Sequence, residues 1–356
     1  MRRIGERTLH PWIPVPLVAP VFDERERTAA EVFLGCAPSG SGRVLIVDDQ
    51  TGLVESGLVA LGWSAHHWRR NAGPLGPASA WPEGAGYDAA CVRLSKDKGA
   101  FEMALHAVAS VTKPEAPIWV YGTNDEGIKS APRRMQALLR RVSVLDARRH
   151  CRVLEGREPT ETPALRDSLA AWEANVLLDF GDAQISQRSF PGVFAKGRLD
   201  AGTRLLLEHL PLFPDASEVL DYAAGSGVIG IGLRRRQPDL RLTLIEADAI
   251  ALEAAKTNLP NAIPVLGYAL TALPDHSRFA AIVANPPYHN GKARSTAVLR
   301  RLVQDAPRYL APGGALWMVL QAQVNVSAEL DVYFDDVVQI ATNKRYKVWR
   351  AAQPKC

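Results

Sequence analysis

The chain is poor in cysteine and has no long apolar run. Its four cysteines, Cys36, Cys91, Cys151 and Cys356, are scattered over 356 residues with no Cys-x-x-Cys spacing. That argues against a disulfide framework and a zinc site, and for a reducing cytoplasm. Nothing approaches the roughly eighteen consecutive apolar residues of a membrane span, and no apolar signal-like core follows Met1-Arg2-Arg3. The net charge of +4 is too small to announce a nucleic-acid partner. What remains is a chain with 47% hydrophobic residues, enough at this length for two packed cores. The expectation is a cytoplasmic protein with no membrane association.

Local charge is more telling than the total. Between Lys113 and Arg157 stand ten Lys or Arg against five Asp or Glu, including the pairs Arg133-Arg134, Arg140-Arg141 and Arg148-Arg149. Arg234-Arg235-Arg236 and the set Lys344, Arg345, Lys347, Arg350 add further clusters. Arrays of this kind suit a phosphate backbone, although each is also what a solvated helix face looks like. Arg140-Arg141 equally suit the dipole at the end of a helix read over Met135 to Arg141.

The densest chemical signal lies at Asn285-Pro286-Pro287-Tyr288, after the apolar strand run Phe279 to Ala284. Neither proline has an N–H to donate, both fix φ, and Pro286 drives Asn285 toward extended backbone. The product is a stiff ledge with an amide, unpaired carbonyls and an aromatic face, suited to holding a flat amino group still. Upstream, the strand signal Glu218-Val219-Leu220 leads into Asp221-Tyr222-Ala223-Ala224-Gly225-Ser226-Gly227 and a helix opening at Val228. Such a turn presents backbone N–H groups and a helix N-terminus to a ligand. Twenty-one positions after Gly225, the run Leu240 to Ile245 ends in Glu246, a carboxylate placed to accept from ribose hydroxyls.

With these motifs the chain resembles the class I S-adenosylmethionine-dependent methyltransferases, and more narrowly the ribosomal RNA guanine methyltransferases that modify the guanine 2-amino group in the small subunit. The narrower match is carried by Phe190-Pro191-Gly192-Val193-Phe194, Leu199-Asp200-Ala201-Gly202, Leu205-Leu206-Leu207, Asn285 to His289, Pro312-Gly313-Gly314 and Lys344 to Val348. It is specific from about Phe190 to Ala351 and weaker before that. The resemblance implies an α/β fold of two tandem Rossmann-like domains, each a mostly parallel sheet flanked by helices with the last strand antiparallel. Residues 1–160 would form a degenerate, RNA-binding or scaffold domain, and 161–356 the catalytic one.

It further implies S-adenosylmethionine as cofactor, bound by Asp221, Ala223, Gly225, Gly227, Glu246 and Asn285, with Phe194 and Asp200 closing over it. Asn285, Pro286 and Tyr288 are the expected catalytic residues. Tyr288, His289, Phe190 and Arg345 are expected to meet the substrate. Tyr288 would stack on the base, worth about 1–3 kcal/mol, and the base must leave any duplex first. The expected partner is ribosomal RNA or a ribosomal subunit, with the chain acting as a monomer and using no metal. Two departures from the family pattern stand out. Ala223 replaces a common glycine and is tolerated if φ stays negative, and Gly267-Tyr268-Ala269-Leu270 offers no carboxylate or carboxamide to an adenine.

The element order suggests duplication. Strand Arg43 to Val47 ends in Asp48 much as Val219-Leu220 ends in Asp221. Strand Tyr87 to Leu94, helix Phe101 to Val111 and strand Ile118 to Tyr121 then parallel the second half. Asp49-Gln50-Thr51-Gly52 lacks a glycine pair, and Arg93-Leu94-Ser95-Lys96 stands where the ledge would be. The polar stretch Glu155 to Pro163 reads as the seam, Leu165 to Val176 as a docking helix, and Asp335 to Arg350 as a closing hairpin. Gly122-Thr123-Asn124-Asp125 reads as a turn or an RNA-facing loop. Two other functions fit these residues: a catalytically silent RNA-binding or assembly protein, and a methyltransferase for another planar amine, in adenine or a glutamine amide.

Overall fold

The computed structural model describes residues 23–159, 165–193, 199–286 and 293–355. The first sheet contains β1 (Arg43–Val47), β2 (Ser64–Trp68), β3 (Ala89–Arg93), β4 (Pro117–Thr123), β5 (Leu139–Arg148) and β6 (Cys151–Pro159), in the order β2-β1-β3-β4-β6-β5. A hairpin of β7 (Ala174–Asp179) and β8 (Gln184–Ser189) follows. The second sheet contains β9 (Glu218–Tyr222), β10 (Arg241–Glu246), β11 (Ile263–Leu266), β12 (Phe279–Ala284), β13 (Leu310–Gln321), β14 (Phe334–Thr342) and β15 (Tyr346–Pro354). Its order is β11-β10-β9-β12-β13-β15-β14. In each sheet only the last strand in sequence, β6 or β15, runs antiparallel to the rest, inserted between the parallel set and the strand before it.

The helices are α1 (Glu24–Leu34), α2 (Leu53–Ala60), α3 (Lys98–Val111), α4 (Ala131–Gln136), α5 (Ala201–His209), α6 (Val228–Arg236), α7 (Ala249–Asn258), α8 (Ala293–Tyr309) and α9 (Ser327–Tyr333). Four of them start on an aspartate that accepts backbone N–H groups of the first turn: Asp23, Asp97, Asp200 and Asp248.

Strand parity positions the site. Along β12, Ala281 and Val283 enter the core shared with α5, α6 and α7, whereas Phe279, Ile282 and Ala284 enter the core shared with α8 and α9. Successive side chains of a strand alternate, so Asn285 faces α5. The same count turns Asp221 of β9 toward α6 and sets Glu246 on the same face of β10.

The strand orders of the two sheets correspond element for element, apart from β11. In the first, Val47 pairs with Trp68 and Val92; in the second, Tyr222 pairs with Ile245 and Ala284. The following residues therefore correspond: Asp48 with Ala223, Arg69 with Glu246, and Arg93 with Asn285. The turns agree in backbone as well, with φ of 55° at Asp48 and 57° at Ala223, and 71° and 85° at Gly52 and Gly227. Asp48 thus stands at Ala223, and Ile46 takes the place of Asp221. The sequence comparison had set Asp48 against Asp221, two residues out of register. The condition for tolerating alanine at 223, a negative φ, is not met.

Other expectations change. Leu165 to Val176 is no helix: a short 3-10 turn (Leu169–Trp172) buries Trp172, and Ala174 begins β7 because its register with β8 satisfies the backbone. The Met135 to Arg141 helix ends at Gln136, and Arg140 and Arg141 lie exposed on β5. β6 runs to Pro159, so the seam begins later than Glu155; the boundary at 160 falls outside the described residues. Pro312-Gly313-Gly314 is a bulge within β13, where pairing jumps from Phe279–Leu310 to Ala281–Ala315. Asn124–Glu126 is a 3-10 turn, Asn124 donating its N–H to the His150 carbonyl at 2.8 Å.

Alanine at φ 57° is strained where glycine is not. Ala223→Gly should stabilise the chain by about 0.5–1 kcal/mol in a denaturant melt. Gly227→Ala should destabilise it, since its Cβ would lie 2.9 Å from Leu259 Cδ1. A lower midpoint for Ala223→Gly would contradict the strain.

Candidate active site

The parallel strands of the second sheet reverse their order of addition between β9 and β12, and the crevice at their carboxyl ends is where such sheets bind ligands. Asn285 leaves β12 at that point. Its Nδ2 donates to Thr203 Oγ1 at 2.9 Å and to Asp200 Oδ2 at 3.2 Å. Both acceptors are on α5 or its cap, and Asp200 Oδ2 also takes the N–H groups of Gly202 (2.9 Å) and Thr203 (3.1 Å). The Tyr346 hydroxyl donates to Asp200 Oδ1 at 3.5 Å. With the nitrogen engaged, the oxygen is the free end of the amide, and no hydrogen bond reaches it among the described residues.

On the neighbouring strand the turn after β9 forms a second wall. Glu246, partly exposed at the end of β10, accepts from the Gly225 N–H at 2.7 Å through Oε2 and from the Asp248 N–H at 2.9 Å through Oε1. Burial raises its pKa, against those two bonds. Each oxygen retains a lone pair for a hydroxyl donor. Nothing lies within 4 Å of a Cβ built on Gly225, so the space above the turn is open. Gly227 differs: a Cβ there would strike Leu259, so this glycine serves helix packing. Gly225 therefore shapes the site, but its N–H is spent on Glu246 and not left for a ligand.

Asp221 is fully buried, with Oδ2 accepting from Gly230 N at 3.1 Å and Oδ1 without a partner. Burial pushes its carboxyl up to about 8, with Glu246 adding to the effect. The unpaired Oδ1 is a buried polar atom beneath the open turn. The open turn, the ribose-type carboxylate and the aimed amide together fit S-adenosylmethionine.

Some expected residues lie elsewhere. Phe190 is 8% exposed and packs with Met103, Trp172, Val193, Ile250, Ala251 and Ala254 in a core between the two halves, so it is spent on docking and does not face a base. Asp200, expected to close over the cofactor, caps α5 and accepts from Asn285 Nδ2. Ala269 is buried, and Tyr268 gives its carbonyl to the Tyr222 hydroxyl at 3.2 Å. Arg345 is exposed in the β14–β15 turn, beside Tyr346 at the same sheet edge. The cluster Arg234-Arg235-Arg236 is engaged internally, with the Asn261 carbonyl, Asp182, and the Leu207 and Leu210 carbonyls. Phe194, Tyr288 and His289 lie outside the described residues. Thr203 was missed, although it directly follows the Leu199 to Gly202 motif.

In the first domain the corresponding positions carry other chemistry. Arg69 replaces Glu246, and Arg93 replaces Asn285 and is buried against Glu126 at 2.7 Å. No group of three or more His, Cys, Asp or Glu among the described residues could hold a metal. None of their helices is long and apolar enough to cross a membrane.

A glycine-bearing turn at the switch point, an acidic strand end and an amide-proline ledge define the class I methyltransferase arrangement. Two family models agree: the Methyltransferase small domain matches residues 184–350, and the Methyltransferase small domain N-terminal matches residues 54–172. The "Ribosomal RNA small subunit methyltransferase C" of Ectopseudomonas mendocina is 31% identical over 339 residues, covering 90% of this chain and 98% of that one. The protein of the same name from Shewanella pealeana is 31% identical over 265 residues, covering 74% and 76%. The chain belongs to the ribosomal RNA small subunit methyltransferase C family. A T. thermophilus 16S rRNA N2 G1207 methyltransferase, solved with AdoMet and guanosine, shares the fold with a TM-score of 0.81 over 92% of both chains at 22% identity.

The Asp221 pKa has a sign that can be tested. A carboxyl that keeps its proton in the folded chain up to about 8, but loses it near 3.8 when unfolded, costs stability as pH rises through that window. Asp221→Asn removes this cost. The thermal midpoint of the ligand-free variant should gain on wild type progressively across that window. A pH-independent difference would show that Asp221 is ionised when folded.

Proposed function

We propose that this chain transfers a methyl group from S-adenosylmethionine to the exocyclic 2-amino group of a guanine in small-subunit ribosomal RNA. The observation that carries the reading is the tethered Asn285 amide, whose nitrogen is held by Thr203 and Asp200 so that its oxygen is the end presented to the crevice. Membership of the family, and the AdoMet and guanosine bound by the T. thermophilus enzyme, support the same substrate pair.

The cofactor, when bound, supplies an electrophilic methyl group on a sulfonium. Glu246 accepts from its ribose hydroxyls, Asp221 and the Ala223 to Gly227 turn meet its methionine half, and Gly225 leaves room for it. The guanine amine is barely basic, its lone pair being delocalised into the ring. Asn285 Oδ1 and the Pro286 carbonyl accept its two N–H groups and favour the nitrogen as it becomes tetrahedral. The Asn285 amide is tethered before the substrate arrives, which is the form of electrostatic catalysis that costs no reorganisation. Tyr288 and His289 are assigned to the base, Phe194 to the cofactor and Arg345 to RNA phosphate. The exposed Arg140 and Arg141 of β5 are assigned to phosphate as well. No step requires a metal, and the chain acts as a monomer.

Labelled methyl incorporation into small-subunit ribosomal RNA, followed by nucleoside analysis, tests the reaction: N2-methylguanosine is expected, and label on adenine or none refutes it. Asn285→Ala should lower turnover by about 100-fold with cofactor affinity retained. Thr203→Val, which removes the hydroxyl that orients the amide, should cost about tenfold, and Thr203→Ser should restore it. Full activity in Asn285→Ala would remove the role assigned to that residue.

A further inference from the structure

The two domains meet at the residues that support Glu246. Arg70 lies just beyond β2 of the first domain. Its Nε donates to Asp248 Oδ1 at 2.8 Å and Oδ2 at 2.9 Å, and its Nη2 donates to Oδ2 at 2.6 Å. Its Nη1 donates to the Pro191 carbonyl at 3.1 Å. The two side chains are only 11% and 18% exposed, so the pair is held largely out of water. Backbone bonds flank it: Ala72 N–H donates to Ala247 O at 2.8 Å, and Ala249 N–H to Arg70 O at 2.9 Å. The second domain's 247–249 segment is thus clamped as a short antiparallel bridge to the first.

Asp248 does more than dock. Its Oδ1 caps α7 by accepting from Ile250 N at 3.0 Å and Ala251 N at 3.3 Å, and its own N–H holds Glu246 Oε1 at 2.9 Å. Glu246 is therefore held from two sides. Gly225 of its own domain grips one oxygen, and the peptide clamped by Arg70 grips the other. Without Arg70, Asp248 would also stand as an uncompensated negative charge two residues from Glu246.

We propose that Arg70 is a positioning residue for cofactor binding: the first domain, which has no ribose carboxylate of its own, completes that of the second. The inference rests on the assignment of Glu246 to the ribose. A salt bridge serving only to dock the domains would stabilise the fold without touching the affinity for ribose hydroxyls. The positioning role predicts a selective effect.

The test uses the full chain and calorimetry with S-adenosylhomocysteine and its analogue lacking the ribose 2′-hydroxyl. Arg70→Gln should weaken S-adenosylhomocysteine binding by about tenfold and the analogue much less, so that the wild-type preference for the hydroxyl shrinks. Arg70→Lys, which keeps the charge but loses the fork, should fall between. Should Arg70→Gln not fold, Asp248→Asn carries the same comparison. If Arg70→Gln lowers the thermal midpoint but keeps the wild-type hydroxyl preference, the salt bridge only docks and the inference is overturned. Glu246→Gln separates the two levels. A weakened Glu246→Gln beside an unaffected Arg70→Gln sinks this inference alone, whereas an unaffected Glu246→Gln removes the ribose assignment as well.

Discussion

A carboxamide has two ends of opposite hydrogen-bonding character, and this site depends on which end faces the crevice. Asn285 Nδ2 is taken by Thr203 and Asp200, so the acceptor oxygen is turned outward. In the proposed reaction a reversed amide would present a donor to the guanine amine and repel it. The choice is made by α5, whose cap must sit against the end of β12. That contact in turn needs the core of Leu206, Leu207, Val283 and Val348 that seats the helix on the sheet. The ledge supplies the stiffness, and the helix supplies the polarity.

Two neighbouring acids are held beside the turn with unequal partners. Asp221 is buried with one oxygen unpaired, and Glu246 keeps both oxygens on backbone donors. Burial raises both pKa values. The first domain carries the same turn with neither acid in place. Its left-handed residue is Asp48, its strand end is Arg69, and its ledge position is an arginine already paired with Glu126. The first domain thus shares the backbone of the turn without the side chains that would hold a nucleotide there.

Much of the second domain was legible in the residues. β9, β10 and β12, the start of α6, and the carboxyl-edge placement of Asn285 and Glu246 follow from β-rich runs, glycines and prolines, all of them local signals. The readings that failed concerned partners distant in sequence. Leu165 to Val176 has helical composition, yet its later part pairs with β8 and Trp172 is drawn into the core between domains. Phe190 reads equally well as a base platform or a core residue, and that same core settles it. Arg234 to Arg236 look like a phosphate array until the carbonyls of α5 and Asp182 engage them.

Sequence alone determined that an amide-proline step, a glycine turn and an acidic residue each stand at the end of a β-strand in the second half. Those properties are set by φ restriction, side-chain alternation and residue spacing, which act over a few positions. Tertiary structure alone decided which end of the Asn285 amide faces the site, that Phe190 packs between the halves, and that Arg70 reaches Asp248. Each of these is a contact between residues far apart in the chain. Such contacts form only where the packing of whole helices against a sheet brings them within hydrogen-bonding range.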